Sequence, residues 1–481
     1  TRKRTLFPYT TLFRSVVLAL FCGMAASVTV AAETPAVVRV PAFERQVLPN
    51  GLTLVVMRRP EVPLAAFTVV MRGGALGEAP DKAGLASIAA GLLEKGAGSR
   101  DAFQFADAVA NVGGSFGAGA GTETVRVSGQ FLARDRQLMI DLLADALLRP
   151  RLDAREFETL RSRQIEFIKA AKDSDPSSLI ANYGRAFLFG DHPYARPVSG
   201  SERSLAAISH RDVLDYVRAN FGADRATLVF AGDVDPVWIR AEVQRAFGKW
   251  ERTAGKPAAP AVPARIAGRR VLLVDSPGSS QTYFWLANVG VSRRFPERAA
   301  LDVVNTLYGG RFTSILNTEL RIKSGLSYSA SSGFNRGTVA GEFAIQSFTV
   351  TENTGKAIDL AIATLERLNR EGVDAPMLDS ARAYVLGQYP TGLETAVNWA
   401  NALADLEFFG LDRSYIESYG PALGAVDVAA ARAVINAAFP KAGDLAIVMI
   451  GDATKIREFA RTYGTVEELP LSAEDFAASG R

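Results

Sequence analysis

Residues 221–233, FGADRATLVFAGD, and 439–452, FPKAGDLAIVMIGD, end alike. In each, a helical segment stops at Phe, a turn follows, and an apolar strand runs into Gly-Asp. The two stand about 218 residues apart, too long a period for a solenoid, whose repeats run at roughly 20–50 residues. The repeat therefore constrains the chain to two similar halves, where 481 residues at ~150 per domain would suggest three. Each half opens with strands, LTLVVMRR and LAAFTVVMRGG in the first, RVLLVDS and TYFWLANVG in the second. Each continues with long helical stretches such as AREFETLRSRQIEFIKAA and TGKAIDLAIATLERLNRE. Strands, then helices, then a closing strand read as α+β: two homologous domains, each a largely antiparallel sheet with helices packed on one face. Between them, residues 256–268, KPAAPAVPARIAG, carry three prolines within seven positions and read as a stiff extended linker. The expected divisions are 33–255, 256–268 and 269–481.

The first 32 residues are set apart from both halves. Residues 5–15, TLFPYTTLFRS, resemble the translation of a sequencing-library adapter; a real basic N-terminus is the other reading. Residues 16–32, VVLALFCGMAASVTVAA, are an apolar run ending in Val30-Ala31-Ala32, the h-region and cleavage site of a secretory signal peptide. A membrane anchor is the rival, but the run is short for a span of ~20 residues. Bulky Phe21 before Cys22 does not suit a lipoprotein cysteine. Cleavage after Ala32 removes four basic side chains and leaves 50 basic against 51 acidic ones, so a nucleic-acid surface has no support. It also removes the one cysteine, leaving no thiolate or disulfide site. No later apolar run is long enough to span a bilayer. The expected location is periplasmic or secreted.

The segment 83–99, AGLASIAAGLLEKGAGS, reads as an amphipathic helix. Leu85, Ile88, Ala89 and Leu92 form its apolar stripe, and Gly96 and Gly98 stop it. Together with LPNGLTLVV, FADAVANVGGSFGAGAGTETVRVSG, DHPYARPVSGS, GGRFTSILNTELRIKSGLSYSASSGF and the two Gly-Asp endings, in that order, this segment resembles the pitrilysin/insulinase (inverzincin) family of zinc peptidases. The chain resembles especially the secreted bacterial half-size members, and it is also similar to the mitochondrial processing peptidase subunits. The resemblance covers nearly the whole chain after residue 32.

Active members of that family carry His-x-x-Glu-His on the first helix. Two histidines four apart lie on one face and hold zinc, and the glutamate is general base on the metal-bound water. Aligned on this resemblance, the histidine positions fall on Ser87 and Gly91, the base on Ala90, and a later glutamate ligand on Phe167, with Glu166 beside it. The chain has two histidines, His192 and His210, neither near this helix; His192 reads as ordering a loop and His210 as opening a helix. An all-carboxylate site is the remaining route to a metal. The resemblance thus implies a zinc-helix frame without its ligands, no cofactor in this chain, and zinc in a partner subunit.

The second half keeps the family's Arg-x6-Tyr signature as Arg321 and Tyr328. In the family this pair reaches across the chamber and helps hold the substrate carbonyl and the oxyanion. A permanent guanidinium cation and a phenol donor suit that task; a solvated helix arginine and a packed strand tyrosine are the plainer readings. The glycine-rich loop Gly309, Gly310, Arg311 and Phe312 lacks a Gly-Lys-Ser/Thr ending and is not a phosphate loop. In the family it lies near the substrate chamber, so it is assigned here to substrate binding, with tight-turn service as the alternative. The stretch GGSFGAGAGTETVRVSG suits a strand at a sheet edge. Active relatives add substrate as a strand there, but glycine and alanine replace the side chains that would read it.

These readings combine into a non-catalytic subunit of a periplasmic zinc metallopeptidase, inactive alone. It would line a peptide chamber and donate Arg321 and Tyr328 to a homologous zinc-bearing partner. One chain supplies two of the four domains that a closed shell needs in this family, hence an expected dimer. The alternative is a stand-alone pseudopeptidase that binds peptides or scaffolds a complex. Expressed behind a natural start codon and recovered from the periplasm, the mature protein should begin at Glu33 or a near neighbour. Intact-mass and N-terminal sequencing would show this, and recovery from the cytoplasm with residues 16–32 attached would contradict it.

Overall fold

Valine, alanine, leucine and phenylalanine dominate the strand segments, and in the computed structural model these segments pair into two six-stranded sheets. The structure describes residues 38–253 and 259–477. The adapter-like stretch, the signal peptide and residues 256–258 of the linker lie outside the described residues. The first sheet contains β1 (Glu44–Val47), β2 (Thr53–Arg58), β3 (Leu64–Arg72), β4 (Ser115–Ala120), β5 (Thr124–Leu132) and β6 (Ala226–Gly232), in the order β1-β2-β6-β3-β5-β4. The second contains β7 (Arg270–Asp275), β8 (Gln281–Val289), β9 (Ala330–Phe334), β10 (Glu342–Val350), β11 (Ala446–Gly451) and β12 (Thr465–Pro470), in the order β9-β10-β8-β11-β7-β12.

Read from opposite ends, five strands of each sheet follow one plan. β2, β6, β3, β5 and β4 correspond to β7, β11, β8, β10 and β9, and both parallel contacts in that plan, β2 with β6 and β7 with β11, recur. The repeated strand-Gly-Asp endings are β6 and β11, inserted in the middle of their sheets. The sixth strand breaks the repeat. In the first sheet it is β1, preceding the others in sequence and antiparallel to β2. In the second it is β12, which follows the others and runs parallel to β7.

The sheets are α+β layers as expected, with each half's own helices on one face. In the first half that face carries Leu54, Val56, Phe67, Val69, Leu228 and Phe230, covered by helices that include α1 (Leu85–Leu92), on which α2 (Ala154–Ser174) packs in turn. The opposite face is also buried. Val55, Met57, Val70, Val229 and Ala231 pack against Trp399, Ala400, Leu403 and Ala404 of α4 (Ala396–Phe409), a helix of the second half. The second sheet is covered reciprocally. Trp285, Ala287, Val448 and Ile450 share a core with Tyr183 and Phe187 of α3 (Ile180–Phe189), a helix of the first half. Gly184 marks the tightest point: a Cβ there would lie 2.6 Å from the Trp285 ring. Two-sided burial explains why β3 is buried without a break from Ala65 to Met71. A sheet with one wet face would alternate apolar and polar residues.

Polar contacts reinforce the exchange. Glu123, in the turn between β4 and β5, accepts from the Tyr194 hydroxyl at 2.6 Å and from the Thr338 amide at 3.0 Å. Arg185 on α3 pairs with Glu342, at 2.8 Å, and that carboxylate is almost wholly buried. Beyond β12 the chain crosses back to the first half, where Phe476 meets Tyr183 edge-to-face at 4.9 Å. The described residues fall within one compact unit, and among them no helix is long and apolar enough to cross a membrane.

The exchanged helices make each half depend on the other. Leu403, buried against the first sheet, should cost about 2–5 kcal/mol when changed to Ala, the range for deleting a packed leucine. Unfolding should remain one transition, with tryptophan fluorescence and far-UV circular dichroism coinciding in a denaturant titration. Separate loss of one half would contradict this dependence.

Candidate functional site

The helix α1 begins at Gly84, whose left-handed backbone (φ 95°) offers no side-chain cap. Glu78 supplies one from outside: its Oε1 accepts the Ala86 amide at 2.7 Å. The carboxylate is thereby aimed at the positive end of the helix. Ala90 is buried, while Ser87 and Gly91 are half-buried. An ideal Cβ on Gly91 would lie 3.5 Å from Leu160 Cδ1 on α2, an ordinary contact, so packing does not require glycine there. Phe167 lies two helical turns beyond Leu160 on the same face of α2 and is 64% exposed.

These residues do not fit zinc. Ser87, Ala90, Gly91 and Phe167 offer one hydroxyl and no imidazole or carboxylate. Among the described residues no cluster of three or more His, Cys, Asp or Glu side chains could hold a metal. Both histidines are engaged elsewhere. His192 accepts from the Tyr194 amide through Nδ1, and its Nε2 meets the Ala261 carbonyl at 2.8 Å. His210 opens a helix, with Nε2 2.6 Å from the Leu152 carbonyl.

The stretch 113–129, read as one edge strand, folds as two: β4 is the sheet edge, paired only with β5, and β5 lies inside the sheet against β3. The Ala118 amide of β4 donates to the carboxylate of Glu94, just beyond α1. This is a side-chain contact on the rim where an added strand would bond. No reading of the sequence singled out Glu94. The sheet register, which puts the Ala118 amide on the outer rim, is what makes it visible.

In the second half the structure brings Arg321 and Tyr328 together. Arg321 Cζ sits 4.4 Å from the centroid of the Tyr328 ring and 4.8 Å from that of Phe312. Tyr328 is 71% exposed and Phe312 62%, so neither ring belongs to the core. The backbone beside Tyr328 is nonetheless pinned to β10. Thr349 Oγ1 donates to the Leu326 carbonyl at 2.6 Å and Ser347 Oγ to the Ser329 carbonyl at 2.8 Å.

The rest of the glycine-rich loop divides. Gly309 is buried against β9: a Cβ would fall 2.4 Å from the Ser332 amide, a close approach only glycine allows. Gly310 is exposed at the surface. Arg311 turns away, donating to the Ser380 carbonyl and Oγ, both at 3.1 Å. Of the four loop residues, only Phe312 stacks with Arg321.

Two family models match the chain in succession. The family model described as Insulinase (Peptidase family M16) matches residues 54–202. The model described as Peptidase M16 inactive domain matches residues 207–385. Uncharacterized zinc proteases of Mycobacterium bovis and Mycobacterium tuberculosis are 30% identical over 372 residues, 77% of this chain and 85% of theirs. The chain belongs to the insulinase (M16) family. Two solved structures share its fold. A peptidase M16 inactive domain from Pseudomonas fluorescens superimposes with TM-score 0.79 at 21% identity, covering 85% of this chain and 98% of that one. A protease from Helicobacter pylori gives 0.78 at 20% identity, covering 85% and 100%. Within the M16 family this is a peptidase-like chain; the positions that the resemblance aligns with zinc ligands, Ser87, Gly91 and Phe167, hold no imidazole or carboxylate.

Glu78 links the emptied helix to pH. Burial pushes its carboxyl up to about 8, against the opposing pull of the Ala86 and Gly84 amides and of Arg196. Between the ordinary value of 4.5 and about 8, the unfolded chain has released this proton and the folded chain keeps it. The stabilisation is full below that window and is lost as pH rises through it. At about 1.4 kcal/mol per unit, the loss is on the order of a few kcal/mol. Glu78→Gln should flatten this slope, seen as a smaller drop in urea midpoint between pH 5 and pH 8.5.

Proposed function

We propose that this chain is the non-catalytic subunit of a periplasmic zinc metallopeptidase. It forms part of a peptide chamber and donates Arg321 and Tyr328 to the active site of a homologous, zinc-bearing partner. The observation that carries the reading is the state of Arg321. Its guanidinium touches two exposed rings and makes no hydrogen bond or ion pair with any described residue. Most arginines of the chain are tied to carboxylates or carbonyls; this one has N–H donors left for an acceptor outside the chain.

The chemistry follows from those donors. In peptide hydrolysis, negative charge grows on the carbonyl oxygen as water attacks, and preorganised donors aimed at that oxygen lower the barrier. Arg321 brings a permanent charge with fixed N–H directions. The Tyr328 hydroxyl, on an exposed ring with a fixed backbone, brings a neutral donor. The partner supplies the metal and its activated water; this chain orients the carbonyl and stabilises the charge that forms on it. The matched inactive-domain model and the zinc proteases among its relatives support the pairing.

The test uses the complex recovered from the source cells through an affinity tag on this chain. Zinc should follow the partner and be absent from this chain when the two are separated. Arg321→Ala should lower kcat by about 10²–10³, the usual cost of losing an oxyanion donor, with assembly and zinc content unchanged. Tyr328→Phe should lower it while leaving the ring stack intact. Wild-type cleavage by both variants in an intact complex would overturn the proposal in favour of a peptide-binding or scaffold role.

A further inference from the structure

We infer that Phe312 is a positioning residue for Arg321: its ring, together with that of Tyr328, holds the guanidinium and fixes where its donors point. This rests on the reading of Arg321 as a donor to the partner's site. A phenylalanine that is 62% exposed gains little from burial, and its ring meets the guanidinium at 4.8 Å. The Tyr328 ring, at 4.4 Å, is the second contact of the same guanidinium. Cation–π contact attracts the cation without using its N–H donors, so the arginine is held while every donor stays available. A carboxylate in place of either ring would hold it more tightly but would occupy those donors.

The two rings sit on linked segments. The Asn317 side chain donates to the Phe312 carbonyl at 2.7 Å and accepts from the Ala330 amide at 3.3 Å. One buried amide thus spans from the turn bearing Phe312 to the start of β9, two residues beyond Tyr328. Ser314 caps the Asn317 amide, and Arg311 anchors the turn to Ser380. The segments that carry the two rings are therefore tied together by a buried group that does not involve the arginine.

The experiment compares Phe312→Leu, Phe312→Tyr and Phe312→Trp in the tagged complex. An exposed cation–π contact is worth ~0.5–1 kcal/mol, which corresponds to about a two- to fivefold fall in kcat for Phe312→Leu, with KM unchanged. Tyr and Trp should restore the wild-type value. In an Arg321→Ala background, Phe312→Leu should cost nothing further, since the ring acts only through the arginine. A readout free of activity comes from this chain alone. The upfield ring-current shift of the Arg321 side-chain protons in NMR should shrink in Phe312→Leu and persist in Phe312→Trp. Full kcat in Phe312→Leu while Arg321→Ala is crippled would overturn the inference and leave the proposed function standing. An equal loss in Leu and Trp variants would overturn it as well. Wild-type cleavage by Arg321→Ala would remove the proposed function and this inference together.

Discussion

The packing of Trp285 against the bare backbone of Gly184 is the contact on which the architecture turns. It lets a helix from the first half lie on the second sheet, and α4 returns the arrangement on the first. Each sheet then has two dry faces, and the strands must be apolar on both sides. The consequence reaches the site. The segment bearing Phe312, Arg321 and Tyr328 is anchored to the edge of a sheet whose far face is closed by the other half. A rigid scaffold under that segment is what allows exposed aromatic rings to keep a fixed spacing.

The two halves have diverged in opposite directions from one plan. In the first, the helix of the zinc site is still capped, by Glu78, and still packed on α2. The positions on it that the resemblance assigns to histidine, Ser87 and Gly91, carry no imidazole. Such losses cost the fold little: Gly91 leaves ordinary space beside Leu160, and Phe167 faces solvent. In the second half, the outward positions are kept and buttressed. Asn317, Ser314, Ser347 and Thr349 spend their hydrogen bonds on the backbone around Phe312 and Tyr328. That asymmetry accords with a chain in which one site fell out of use while the other did not.

Much of this was legible in the sequence because local pattern and fold agree. The strand-Gly-Asp endings located β6 and β11, and the order of motifs identified the family and aligned the ligand positions. The spacing of Arg321 and Tyr328 was visible too, although it left open whether the tyrosine was core or surface. What escaped notice were contacts between residues far apart in the chain. The exchanged helices left a signal, the continuous apolar runs of β3 and β8, which call for cover on both faces. Glu94 on the Ala118 amide left none, and neither did the stacking of Phe312 on Arg321.

By itself, the sequence determined the duplicated α+β halves, the family, and the absence of imidazole and carboxylate from the aligned ligand positions. These depend on residue identity and on periodicities of two and 3.6 residues, which act over a few turns or strands. Tertiary structure decided which half covers which sheet face, which strand fills each sixth position, and that Arg321 meets two exposed rings while its guanidinium bonds to no described residue. Those outcomes depend on distances between segments brought together only by packing, Phe312 with Arg321 and Gly184 with Trp285, and no local pattern encodes such a distance.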